Sequence, residues 1–359
     1  MRVAIDAREL GGHPTGVGRY LTGLLDAWSS SDAMRRHQWT LISSSPFESR
    51  WPVSVEVAAG NGGTVWEQTK LPRAARAAKA DVFFAPGYTA PLTVAAPLVL
   101  TIHDVSFFAH PEWFSFREGA RRRRLSAWSA RRARTVLTIS EFSKAEITRF
   151  IGIDARRIRV IPIGVSAPAR SPAPGSNDPM VLFVGSIFQR RRVDRLIAAF
   201  DQVADRVPAA RLEIVGENRT SPRIDLESLR RQCRHADRIT IRSYVDDATL
   251  AGLYERASVF AFMSEYEGFG LTPLEALAAG VPPMVLDTAV AKEACGAAAR
   301  YIAASASNEE IAAAIAELLS SADARQQLLR HRNDVLGRYD WNLAAAATLS
   351  VLEEAAGGR

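Results

Sequence analysis

The chain has 359 residues, 47% of them hydrophobic and 23% charged, a composition that excludes wholesale disorder and fits about two domains. No apolar run reaches the roughly 18 residues of a membrane span, and the opening MRVAIDAREL is too short in apolar residues, with Asp6 too early, for a secretory leader. The net charge of +6 is uneven: residues 1–179 hold 24 Lys and Arg against 15 Asp and Glu, while 180–359 hold 21 against 24, so different partners are expected for the two halves.

In chain order, strands are expected at VAID (3–6), WTLIS (39–43), DVFFA (81–85), LVLTIH (98–103), TVLTIS (135–140) and IRVIPI (158–163). A second series follows at MVLFVG (180–185), RLEIVG (211–216), ITIRSY (239–244), SVFAFM (258–263) and PMVLD (283–287). Near-continuous apolar strands separated by helical stretches predict parallel sheets covered on both faces. Between the series, SAPARSPAPGSNDP (166–179) reads as a linker by its Pro, Ser and Gly content. The fold class is therefore α/β, two Rossmann-like doubly wound domains, 1–170 and 171–337, with ligands expected at strand C-termini and in a cleft between the domains. The closing alanine-rich pattern, 338–359, predicts a helix that caps the second domain or returns to the first. Cys233 and Cys295 lie far apart with no metal-ligand spacing, so a reducing, cytoplasmic setting is expected.

Four stretches carry chemistry. PTGVGRYL (14–21) places Gly16 and Gly18 where a glycine turn opens a helix, too sparse for a dinucleotide fingerprint but open to a phosphate or sugar. TIHDVSFF (101–108) ends a strand with His103 and Asp104, either a site histidine or a structural one oriented by the aspartate. VLFVGSIFQRRRVDRL (181–196) runs a strand into Gly185-Ser186 and three arginines, which read as a solvated charge run or as forks for diphosphate oxygens. With no DxD pair in the chain, Arg190 and Arg191 are candidates to neutralise a departing diphosphate without metal.

The fourth is SEYEGFGLTPLEALAAG (264–280), with Glu267 and Glu275 eight positions apart. Thr272 reads as a helix N-cap, Pro273 as the first helical residue and Gly280 as the stop, so an anion site at the helix start is expected. TPLE is also a capping box, which would give Glu275 a structural duty. Glu267, inside the glycine loop, has no capping role.

Together these stretches, with SEFS (140–143), IPIGV (161–165) and the closing YDW, resemble glycosyltransferase family 4, retaining enzymes of the GT-B architecture. The resemblance covers nearly the whole chain, and the spaced glutamate pair is its most specific part. It implies that Glu267 contacts donor-sugar hydroxyls and Glu275 the ribose. It places the donor diphosphate on Arg190 and Arg191, with Ser186, Gly268, Phe269, Gly270 and Leu271 lining the donor site. His103 would contact the transferred sugar, and Gly16 and Gly18 would lie near the phosphates. Departures are Arg190-Arg191-Arg192 where the family has Arg-Lys-Asn, Met263 before Ser264, and Ile161 before PIGV.

The resemblance further implies a metal-independent hexosyltransferase that retains anomeric configuration by a front-face route, with the closing helix crossing back to the first domain. GDP-mannose is the first expected donor; rhamnose, glucose and fucose donors stay open. The acceptor is expected to be a lipid-linked oligosaccharide or polysaccharide of a bacterial cell surface. Residues 107–134 combine Phe107, Phe108, Trp113, Phe114 and Phe116 with clustered arginines, which suits contact with an anionic membrane at its cytoplasmic face. A nucleotide-sugar epimerase or a non-catalytic binding partner are the alternatives; no nucleic-acid module is visible.

Overall fold

The structure, a computed structural model, describes residues 1–11, 16–166 and 179–357. It forms two compact units, Met1–Gly164 with Tyr339–Arg359, and Val165–Arg338. Most of the expected linker, 167–178, lies outside the described residues, as do 12–15 and 358–359.

Unit 1 is built on a seven-stranded sheet ordered β3-β2-β1-β4-β5-β6-β7. Its strands are β1 (Arg2–Asp6), β2 (Gln38–Ser43), β3 (Ser54–Val57), β4 (Val82–Ala85), β5 (Leu98–Thr101), β6 (Thr135–Thr138) and β7 (Ile158–Val160), all paired in parallel. The strands β4 and β5 are buried at every position, which is why they read as unbroken apolar runs. Helices join them; Glu141–Ile151 starts where Ser140 accepts from the Ser143 amide and ends at Gly152, at φ +73°.

The helix Trp341–Gly357 belongs to this unit. Trp28 Nε1 donates to the Ala345 carbonyl at 2.8 Å, tying it to the helix Gly16–Ser29. Trp341 sits where two glycines make room: a Cβ on Gly164 would lie 2.3 Å from its Cγ, and one on Gly23 2.6 Å from its ring. The glycine of IPIGV thus has a packing reason at the far end of the chain.

Unit 2 repeats the scheme with six strands ordered β10-β9-β8-β11-β12-β13. They are β8 (Met180–Val184), β9 (Arg211–Val215), β10 (Ile239–Arg242), β11 (Ala257–Phe262), β12 (Pro283–Leu286) and β13 (Arg300–Ile302), again all parallel. The expected α/β class holds in both units. Two strands escaped the sequence reading, β3 and β13. Both are sheet edges; β3 is largely exposed and β13 has three residues, so neither carries a buried apolar run. The strand expected at 158–163 stops at Val160.

Candidate active site

In unit 2 the strand order reverses between β8 and β11, and the ends of these two strands carry the two motifs. Strand β8 runs into Gly185-Ser186 and a single turn, Gln189–Arg191; strand β11 runs into the loop that holds Glu267. Arg191 Nε donates to Glu267 Oε1 at 2.7 Å, and its Nη1 donates to the Ser186 carbonyl at 2.9 Å. Arg190 Nε stands 4.0 Å from the same Oε1, and its guanidinium lies 4.5 Å over the Phe188 ring. Ser264 Oγ completes the set, donating to Glu267 Oε1 at 2.8 Å. Gly185 is at φ +139°, and a Cβ there would lie 2.7 Å from Arg191 Nη1, so this turn requires glycine.

The three arginines divide. Arg190 and Arg191 gather at Glu267, whereas Arg192 pairs with Glu265 and the Ala304 carbonyl. Arg192 holds φ +49°, the left-handed region where asparagine is more at ease than arginine. Burial pushes the Glu267 carboxyl up, but Arg191 and Arg190 outweigh it and hold the group below its ordinary value. It is an anion prepared to accept hydrogen bonds.

The helix after this loop is Leu271–Ala278, and it corrects one expectation. Gly270, at φ +107°, occupies the N-cap position, so Thr272 lies inside the first turn and the TPLE capping box does not form. Only glycine takes that conformation at little cost, which lets the helix begin two residues early. Pro273 still falls in the first turn, where its missing N–H breaks no bond. Gly268 and Phe269 are buried, while Leu271 and Glu275 are half-buried. A cavity of about 20 Å³, room for one water, is lined by Ser264, Glu267, Gly270, Thr288 and Cys295.

Unit 1 reverses its strand order between β1 and β4. His103, just past β5, is half-buried, with its ring 4.8 Å edge-on to Tyr20 and 5.6 Å from Tyr88. Its Nε2 donates to the Pro86 carbonyl at 2.8 Å, which leaves Nδ1 as the acceptor of a neutral ring. Burial lowers the imidazole, outweighing the Pro86 carbonyl and Asp104. The aspartate is occupied elsewhere: Asp104 Oδ2 accepts from Tyr88 Oη at 2.8 Å and Oδ1 from the Ser106 amide at 2.8 Å. The orienting partner of His103 is thus a backbone carbonyl, not the neighbouring carboxylate. Gly16 is the exposed first residue of its helix and Gly18 is buried within the first turn; neither forms a turn ahead of the helix.

At the β1/β4 reversal lies a cavity of about 430 Å³, lined among others by Asp6, Arg8, Glu67, Tyr88, Arg122 and Ser126. Arg8 donates to both Asp6 oxygens and to Glu67 Oε2 at 3.2 Å, and Thr89 Oγ1 donates to the same Oε2 at 3.0 Å. Tyr88, on the cavity wall, holds a left-handed φ of +48°. Sequence reasoning missed this group because its members are scattered from residue 6 to residue 126. The one local signal was an acidic residue ending an apolar strand at VAID.

Of the aromatic-basic stretch, Phe107 is buried and Phe108, Trp113 and Phe114 are half-buried, so only Phe116 of the five is exposed. Arg123, Arg131 and Arg132 donate to the carbonyls of Phe107, Ile151 and Val94. Of the other residues on the helix Phe116–Arg132, Phe116, Arg117, Arg121, Arg122, Arg124 and Trp128 are exposed, with Arg121 and Arg122 paired to Glu118. No helix among the described residues is long and apolar enough to cross a membrane.

A family profile described as Glycosyltransferase Family 4 matches residues 14–167, and one described as Glycosyl transferases group 1 matches residues 169–332. Glycogen synthase of Mycobacterium tuberculosis is 29% identical over 266 residues, 71% of this chain and 62% of that protein. The GDP-mannose:cellobiosyl-diphosphopolyprenol alpha-mannosyltransferase of Komagataeibacter xylinus is 28% identical over 261 residues, 68% of this chain and 64% of that protein. The matched region thus spans less than two thirds of these curated relatives. Among solved structures, sucrose-phosphate synthase from Thermosynechococcus elongatus has a TM-score of 0.80 at 18% identity over 98% of both chains, a likeness of fold.

Proposed function

This chain belongs to glycosyltransferase family 4, with the GT-B pair of parallel-sheet units, and from that premise we propose that it is a retaining hexosyltransferase whose donor site is the Arg190–Arg191–Glu267 group. The observation that carries the reading is the convergence of two guanidiniums and one ionised carboxylate at the β8/β11 reversal. The arginines meet the donor diphosphate, and Glu267 accepts from hydroxyls of the transferred sugar. Glu275 takes the ribose. Ser186, Gly268, Phe269, Gly270 and Leu271 supply backbone and shape around the donor.

In the reaction, the bond from the sugar's anomeric carbon to the diphosphate oxygen breaks as the bond to the acceptor oxygen forms on the same face. The acceptor's proton passes to the departing phosphate oxygen. Charge grows on that phosphate, where Arg190 and Arg191 act; this is the largest electrostatic demand of the step, and it needs no metal ion. The neutral His103 offers its Nδ1 to the transferred sugar.

GDP-mannose is the first donor we propose, and a lipid-linked oligosaccharide of cell-surface glycan synthesis the acceptor class. The K. xylinus relative, whose name holds both GDP-mannose and a diphosphopolyprenol acceptor, supports this. Phe116, Arg117, Arg124 and Trp128 form the surface proposed to rest on an anionic membrane, at its cytoplasmic face.

The test is thermal stabilisation by GDP, UDP, ADP and dTDP without added metal, since a ligand of the folded state raises its stability. A shift with GDP above the others supports the reading. A shift with none of them would replace it by a non-catalytic binding partner.

A further inference from the structure

We infer that the cavity of about 430 Å³ in unit 1 is a subsite for a hydroxyl-rich ring that bears an anionic group, with Glu67 and Ser126 taking ring hydroxyls and Arg122 taking the anion. This rests on the transferase reading and gives the acceptor its chemical class.

Two buried polar atoms carry the inference. Glu67 is 2% exposed; its Oε2 is engaged by Arg8 and Thr89, but its Oε1 has no hydrogen-bond partner among the described residues. Ser126 is 0% exposed, and its Oγ likewise lacks one among the described residues. Folded proteins leave few such atoms unsatisfied, and both of these line the same cavity. A ligand that donates to the carboxylate and exchanges a hydrogen bond with the hydroxyl satisfies both at once.

The electrostatics set the ligand's orientation. Asp6 and Glu67 share Arg8, so that wall repels an anion and welcomes hydroxyl donors. Arg122 lies one helical turn before Ser126, is exposed, and shares the single carboxylate of Glu118 with Arg121. That trio keeps one positive charge beyond what Glu118 cancels. Tyr88 and Phe107 supply aromatic walls for the C–H face of a ring, and the volume falls within the range of about 300–1,000 Å³ usual for small-molecule sites.

The probes are glucose 1-phosphate, methyl α-glucoside and inorganic phosphate, titrated calorimetrically into the full chain with saturating GDP present. Glucose 1-phosphate is expected to bind more tightly than either fragment, and to weaken by about tenfold in Ser126→Val and in Arg122→Ala. Ser126→Ala, which deletes the hydroxyl without adding bulk, should weaken it in the same direction. Affinity for GDP, measured separately, should stay at the wild-type value in all three variants. Equal binding of phosphate and glucose 1-phosphate, no binding, or unchanged affinity in the variants would overturn the inference. Sugar-phosphate binding that persists in a chain that binds no nucleotide would sustain the cavity site while removing the transferase reading.

Discussion

Arg191 and Glu267, 76 positions apart in sequence, form a 2.7 Å ion pair in which one side chain is 13% and the other 17% exposed. Each is thus the other's partner in the free protein, so under the proposed function a sugar diphosphate would exchange with that pairing rather than fill an empty site. Burial alone would make Glu267 a weaker acid; the arginines reverse the sign.

Glu267→Gln keeps the shape of the side chain and removes its charge. Transfer is expected to fall by about 100-fold or more, the range typical of losing a charged contact to the reacting group, with an unchanged far-ultraviolet spectrum. Initial rates at saturating donor check this, and wild-type turnover would remove Glu267 from the site.

Arg191→Ala leaves a buried carboxylate without its nearest donor. Stability should drop by about 1–3 kcal/mol, and nucleotide-diphosphate affinity by roughly tenfold. Because Glu267 is held below its ordinary value of 4.5, the pair stabilises the fold above that pH and loses its effect as pH falls through the depressed value. The gap between wild type and variant in urea midpoints should therefore narrow in acid. A gap constant with pH would show that the ion pair is not its source.

His103 titrates in the folded protein below the ordinary 6.5, so the unfolded chain takes up its proton first. Stability from this residue is full above 6.5 and declines as pH falls. His37 is shifted in the same direction, so His103→Gln should flatten the decline without abolishing it. Denaturant midpoints recorded across the weakly acidic range measure the difference in slope.

Gly23→Ala and Gly164→Ala should both destabilise, by about 1–3 kcal/mol or more, through overlap with Trp341. The two differ in rescue. At Gly23 the three nearest atoms all belong to the indole, so Trp341→Leu should recover part of the loss; at Gly164 the Trp341 backbone nitrogen is also 2.5 Å away, and the same change should not. Thermal midpoints of the four variants decide it.

Most of the fold could be read before any coordinates, because parallel strands buried on both faces leave an unbroken apolar trace. The edge strands β3 and β13 left none. At the site, Arg190, Arg191 and Glu267 stand out locally by an arginine run and a glycine loop, and the fold brings them together at one strand reversal. The helix start was misplaced because Thr-Pro is a strong start signal, while the conformation of Gly270 decides where the helix begins. Asp104 was misjudged since sequence proximity to His103 says nothing of Tyr88. The Asp6–Arg8–Glu67 group was illegible because it exists only once β1 and the helix Thr64–Ala77 are packed.

The return of Trp341 to Gly23 and Gly164 makes unit 2 an insertion held at both ends within unit 1. During synthesis the chain emerges from its beginning, so every residue of Val165–Arg338 is available before the helix that completes the earlier unit. The unit begun first is therefore finished last. Until then, the face of Gly16–Ser29 from which Trp28 donates to Ala345 waits uncovered, a surface for chaperones to shield.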